Sequence, residues 1–184
     1  MTRKSIDLSK LATPDVVEVL NYEDIRQTIL DDLSSRLEGV TVVDLESEPL
    51  VKLIEAFAYR EMILRARVND AARAVMLPTA VGSDLDNLAA LLNVERQEGE
   101  LDDRFRRRTQ LAHESYTAAG SPGAYEWHAF SASQEVADVS VISPNPGRVD
   151  IVVLGEDTAI SDDGLKAVRK RVQSDDVKPL TDEE

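Results

Sequence analysis

The sequence contains no cysteine, which excludes a disulfide framework and any thiolate metal site and fits a reducing compartment. Aromatic residues make up only 4% of the 184, with Trp127 the single tryptophan, so the core has to be built mainly from aliphatic side chains. No apolar run is long enough to span a membrane, and the first seven residues lead into nothing resembling a signal peptide. Positive charge is scarce: 21 Lys and Arg against 35 Asp and Glu leave a net charge of −14. Such a surface repels nucleic acid and anionic membranes, so neither is expected as a general partner.

What the chain does have is a 42% apolar share, enough for a folded core, and one long amphipathic stretch. Between Leu50 and Val75, apolar side chains fall at Leu50, Leu53, Ile54, Phe57, Leu64, Val68, Ala71, Ala72 and Val75. Lys52, Arg60, Arg65, Arg67 and Asp70 stand in the intervening positions, which is helical rather than strand spacing. Ser47 is placed to cap the start, Pro49 suits a first turn, and Pro78 with Gly82 just beyond ends the run. About thirty residues at roughly 1.5 Å each make a rod of about 45 Å, which needs packing partners along its length. Amphipathic helices usually face their own core, but periodicity alone leaves open whether this stripe is filled by helices of the same chain or of others.

Around that helix the chain reads as α+β. Residues 1–21, with Leu8, Leu11, Val16, Val17, Val19 and Leu20 around Pro14, read as an arm that packs on something. Residues 22–100 read as a helical domain: Tyr22, Ile25, Ile29, Leu33 and Leu37 mark one helix, residues 40–43 a short extended piece, and the long helix follows. Ser83 then caps a helix with Leu85, Leu88, Leu91 and Leu92 on one face. The polar segment 95–100 breaks the periodicity, and a domain boundary is expected there.

Residues 101–184 read as a small α+β domain. Its first helix carries Asp102 and Asp103 one turn before Arg106 and Arg107, the favourable order for ion pairs. Ser121-Pro122-Gly123 opens a short helix, and Val/Ile-rich strands at 136–142 and 148–154 form an antiparallel hairpin across Ser143-Pro144-Asn145-Pro146-Gly147. Ser161 starts a last helix, followed by the short acidic segment 175–184. No third strand is visible, so the sheet is incomplete.

The search for chemistry finds no catalytic, cofactor-binding or metal-binding residues. Arg104, Arg106, Arg107 and Arg108 attract a nucleic-acid reading, and the helices flanking Pro78 and Gly82 mimic a helix-turn-helix. Yet the arginines are not on the helix after the turn, where Leu85, Asp86 and Asn87 would face a groove. Asp84, Asp86 and Glu95 match three positions of a calcium loop, but Leu88 and Ala89 occupy positions that need an oxygen ligand and a glycine. His113 and His128 lack metal-binding spacing, and the Asp31/Asp32, Asp162/Asp163 and Asp175/Asp176 pairs read as solvated or helix-terminal carboxylates. Neither a nucleophile elbow nor a phosphate loop is present.

Several blocks carry a family resemblance: Leu45 through Glu61, Arg67 through Leu77, Gly82-Ser-Asp-Leu-Asp-Asn-Leu, Ile6-Asp-Leu-Ser, Pro14-Asp-Val-Val-Glu and Asp103-Arg-Phe-Arg-Arg-Arg. It continues in Ala119-Gly-Ser-Pro-Gly-Ala-Tyr-Glu-Trp-His-Ala and from Val136 through the hairpin. The chain thereby resembles the baseplate J-like family of contractile phage tails over nearly its whole length. It departs from the family in a short connection at residues 97–101 and in stopping at Glu184, so the last strand or strands of the C-terminal domain are expected to be missing.

The resemblance implies a noncatalytic structural protein of the baseplate wedge, in an infectious phage, a prophage or a bacteriocin-like particle, located in the virion tail and assembled in the host bacterial cytoplasm. It implies two copies of the chain per wedge, a second wedge protein, and further baseplate and hub proteins as partners, with no cofactor. It also favours an interchain bundle, with Leu50, Leu53, Ile54, Phe57, Leu64, Val68, Ala71 and Val75 as the interface stripe. A helix-turn-helix-like DNA-binding regulator is the rival from another class.

Overall fold

A computed structural model describes residues 6–36, 48–117, 120–145, 148–155 and 159–177. Ser47, residues 40–43, the middle of the hairpin turn and residues 178–184 lie outside the described residues. Among the described residues the fold is α+β, with six α-helices and one two-stranded antiparallel sheet. It divides into two compact units, one of Lys10–Thr79 and the other of Met1–Ser9 with Ala80–Glu184.

In the first unit, helix α1 (Tyr22–Arg36) packs on helix α2 (Pro49–Ala74). The Asn21 side chain accepts from the Glu23 N–H at 3.0 Å, and Glu23 and Asp24 in the first turn complement the helix dipole. At the other end Arg36 donates to Asp32 one turn earlier. Helix α2 begins at the expected proline and runs 26 residues, about 39 Å at about 1.5 Å per residue. Its N-cap is Glu48 in extended conformation, with no side-chain capping bond.

In the second unit, α3 (Gly82–Ala90) packs on α4 (Asp102–Leu111), which tightens into a 3-10 turn at Ala112–Tyr116. Ser83 is not the cap expected for α3, because the helix begins at Gly82 with Val81 at its N-cap and no side-chain capping bond. Gly82 has φ +51°, a left-handed conformation suited to glycine, and its N–H is taken by Asp102 Oδ2 at 3.0 Å. That hydrogen bond is the leading cause that holds the Asp102 carboxyl below its ordinary range. Helix α5 (Pro122–Ala132) has the expected cap, with Ser121 Oγ accepting from the Ala124 N–H at 3.2 Å.

Strands β1 (Val136–Asn145) and β2 (Arg148–Gly155) pair with Val139 opposite Val153 and Val141 opposite Ile151. The period-two alternation sends these four side chains to one face, where they pack with Ala129, Phe130, Val136 and Val168. Ile142, Val152 and Leu154 fall on the other face and are exposed. Helix α6 (Asp162–Val172) closes the core with Val168 and Val172, and Ser161 Oγ caps it by accepting from the Gly164 N–H at 3.0 Å.

The segment 95–100 is part of the second unit's fabric. Gln97 Nε2 donates to Ser131 O at 2.7 Å, Gln134 Nε2 donates to Glu98 O at 2.8 Å, and the Glu100 carboxylate is buried. The segment lies in the compact unit that resumes at Ala80.

Candidate assembly interface

Helix α2 has two apolar faces. Val51, Ile54 and Ala58 recur on the face buried within the chain. Seven of the eight stripe residues point elsewhere. Phe57 is 57% exposed, Leu64 66% and Val75 70%, and Leu50, Leu53, Val68 and Ala71 are exposed as well. Ile54 is the exception at 3%, because its position on the helix groups it with Val51 and Ala58. At 100° per residue the exposed positions form a contiguous band, with Leu50, Phe57, Leu64 and Ala71 repeating every seven residues. A single α1 alongside leaves that band uncovered among the described residues.

The arm is fixed to α2 by a device that periodicity did not announce. Asn69, buried on α2, accepts from the Glu18 N–H at 2.9 Å and donates from Nδ2 to the Glu18 carbonyl at 2.8 Å. One side-chain amide thus satisfies both backbone groups of Glu18. Arg65 adds ion pairs to Glu18 at 3.3 Å and Glu61 at 2.6 Å.

The arginines of α4 are all engaged within their own unit. Arg104 donates to the carbonyls of Phe130, Ser133 and Val136, and its guanidinium lies 4.0 Å from the Phe130 ring centre. Arg106 donates to Ala80 O at 2.7 Å and pairs with Asp103. Arg107 reaches Ala137 O and Asp138 on β1, and Arg108 holds the buried Glu100. Asp102 binds Arg96 at 2.8 Å and the start of α3, and the charge of Arg106 one turn later also favours its ionised form. In the helix-turn-helix comparison Leu85 would have to face a groove, but it is fully buried. Arg96 also binds Asp86 at 2.7 Å, which occupies that carboxylate of the calcium-like spacing.

His128 is buried on α5, and its Nδ1 has no partner among the described residues. Burial, followed by the nearby Arg171 guanidinium, pushes the imidazole down from 6.5 to about 4, against an opposing pull from Asp176. The group is therefore a neutral packing residue at neutral pH. Among the described residues no cluster of three or more His, Cys, Asp or Glu is arranged to hold a metal ion, and no helix is long and apolar enough to cross a membrane.

Residues 46–100 match the model of the Baseplate J-like N-terminal domain, and residues 117–184 match that of the Baseplate J-like central domain. The chain is 44% identical over 200 aligned residues to "Baseplate protein J" of Escherichia phage P2. The alignment covers 96% of this chain and 66% of that protein, so the chain spans just under two-thirds of the relative's length. Helix α2 and the β1–β2 hairpin both fall within matched blocks, and the chain belongs to the baseplate J-like family.

Proposed function

We propose that this chain is a noncatalytic structural component of the baseplate wedge in a contractile phage tail or related tail-like particle. It is assembled in the host bacterial cytoplasm and serves both baseplate assembly and the coupling of baseplate rearrangement to sheath contraction. The observation that carries this reading is the outward apolar band of α2 in a member of a baseplate family. Covering an exposed Leu, Val or Phe side chain contributes up to about 1.5–3 kcal/mol, so a band of this length supports stable helix packing against another chain.

In this proposal the band formed by Leu50, Leu53, Phe57, Leu64, Val68, Ala71 and Val75 enters a bundle with helices of a second copy and of a second wedge protein. Ile54 supports it from the buried side. Residues 22–100 act as the assembly module and residues 101–184 link adjacent wedges, with hub and other baseplate proteins as neighbours. A wedge must hold one geometry before firing and another after it, and rigid elements with two packings supply that without an active site.

The test is affinity purification of the tagged chain from cells expressing a whole tail gene cluster, with mass spectrometry of what accompanies it. Co-recovery of baseplate proteins, with this chain in excess of one per wedge partner, is the expected result. Recovery of the chain by itself counts against the proposal. Val152→Lys on the exposed hairpin face is expected to leave wedge recovery intact and reduce ring formation, and unchanged rings would remove the linking role from that face.

A further inference from the structure

The chain passes between its two compact units twice, at Ser9/Lys10 and at Thr79/Ala80. The second passage is anchored on both sides. Thr79 Oγ1 donates to Arg73 O at 2.7 Å and its N–H donates to Met76 O at 3.0 Å, which ties it to the end of α2. One residue later Arg106 donates to Ala80 O at 2.7 Å, and Asp102 takes the Gly82 N–H at 3.0 Å. Rotation between these anchors is left to the backbone dihedrals at residues 79–81, the few adjoining positions that a hinge needs.

The first passage is held at both ends and exposed between them. At one end Gln110 Nε2 donates to Ile6 O at 2.6 Å. Asp7 then accepts from the Ser9 N–H at 3.1 Å and starts the 3-10 turn Leu8–Lys10, which buries no residue. Residues 11–16 are exposed. At the other end Asn69 holds both backbone groups of Glu18, and Arg65 pairs with its carboxylate. Fully extended, the chain from Ile6 to Glu18 reaches at most about 40 Å.

We propose that residues 6–18 are a releasable strap. Held at both ends, it is a second link between the units and limits rotation at residues 79–81. Released from Gln110, it hangs from Glu18 and the hinge turns without it. The Gln110 end is the one to release, because Ile6 is 68% exposed and the turn beside it buries nothing. The clamp at Glu18 keeps the released end within a short tether's reach, so the strap re-latches as an intramolecular event. Such a strap works within one chain, whatever that chain assembles with.

The test uses the full chain. It has no cysteine, so spin labels at Ser35→Cys on α1 and Ser140→Cys on β1, both exposed, report the distance between the units by pulsed electron resonance. The parent is expected to show a narrow distance distribution. Gln110→Ala is expected to raise the ratio of broad to narrow component about fivefold, the scale of one lost hydrogen bond, while amide exchange within α4 stays slow. Gln110→Glu keeps the side-chain volume and loses the donor, so it should act in the same direction even where Ala lowers the folded fraction. A parent distribution as broad as that of the variants overturns the strap. So do folded Gln110 variants whose distribution matches the parent's, and broadening that comes with accelerated exchange in α4.

Discussion

Glu100 and Arg108 meet through two parallel hydrogen bonds, Arg108 Nε to Glu100 Oε1 at 3.0 Å and Nη2 to Oε2 at 2.7 Å, with both charged groups buried. The Gln97 N–H donates to the same carboxylate at 3.0 Å, and Arg108 also donates to the Glu95 carbonyl. Removing the carboxylate strands a guanidinium away from water. Glu100→Ala is therefore expected to destabilise the chain by about 3–5 kcal/mol, while an apolar pair of similar volume at both positions recovers most of that loss. Urea unfolding of the single and double variants measures both. A Glu100→Ala midpoint near that of the parent would show that water reaches the pair.

The clamp between Asn69 and Glu18 makes a different prediction, because it fixes an arm rather than a core. Asn69→Ala leaves the Glu18 N–H and carbonyl without their partners, at a cost of about 1–3 kcal/mol where water does not replace them. Amide exchange at Glu18 is expected to accelerate while exchange in α2 stays slow. Asn69→Asp keeps the acceptor for the N–H and loses the donor, so its exchange rate should fall between. Slow exchange at Glu18 in Asn69→Ala would mean that other contacts hold the arm.

These two sites also show where sequence reading stops. Local features were legible: the spacing of α1 and α2, the Ser121-Pro122 and Ser161 caps, and the two Val/Ile-rich strands of the hairpin all depend on near neighbours. Asn69 was not, since its partner is 51 residues away and an Asn within a helix carries no mark of what it binds. The segment ending at Glu100 reads as a polar break because burial of its carboxylate depends on Arg108 one helix later. The arginine run likewise reads as free charge until the carbonyls of Phe130, Ser133 and Val136 are folded against Arg104. Periodicity revealed the α2 band but not its cover, because that depends on how much of α2 the chain's own α1 reaches.

Acid lability follows in part from His128. Its imidazole titrates at about 4 in the folded chain and near 6.5 when unfolded, so between those values the unfolded chain binds more protons. Stability from this group is complete above about pH 6.5 and declines as pH falls toward 4, by at most about 3 kcal/mol. Arg171 and Asp176 are the charges that face it, and Asp176 is itself held down to about 2, first by the Ser174 hydroxyl and then by Arg171. The lowered carboxylates add their own loss below about pH 4. Comparing urea midpoints of the parent and His128→Leu at pH 7, 5.5 and 4.5 isolates the histidine, because the variant should show a shallower decline. Parallel curves would assign the acid sensitivity to the carboxylates.

The two faces of α2 separate stability from assembly. Phe57 is more than half exposed, so Phe57→Ala is expected to change the unfolding free energy of the isolated chain by no more than about 0.5 kcal/mol. If the band is the seam of a bundle, the same substitution removes an aromatic anchor, and recovery of partner proteins should fall by about thirtyfold or more, the scale of a hot-spot residue. Ile54→Ala, on the buried face one turn away, should lower stability by about 2–5 kcal/mol. Its effect on assembly should then follow the fraction of folded chain. A Phe57→Ala chain that melts early but assembles normally once folded would return Phe57 to the chain's own core, and the outward band of α2 would lose its central contact.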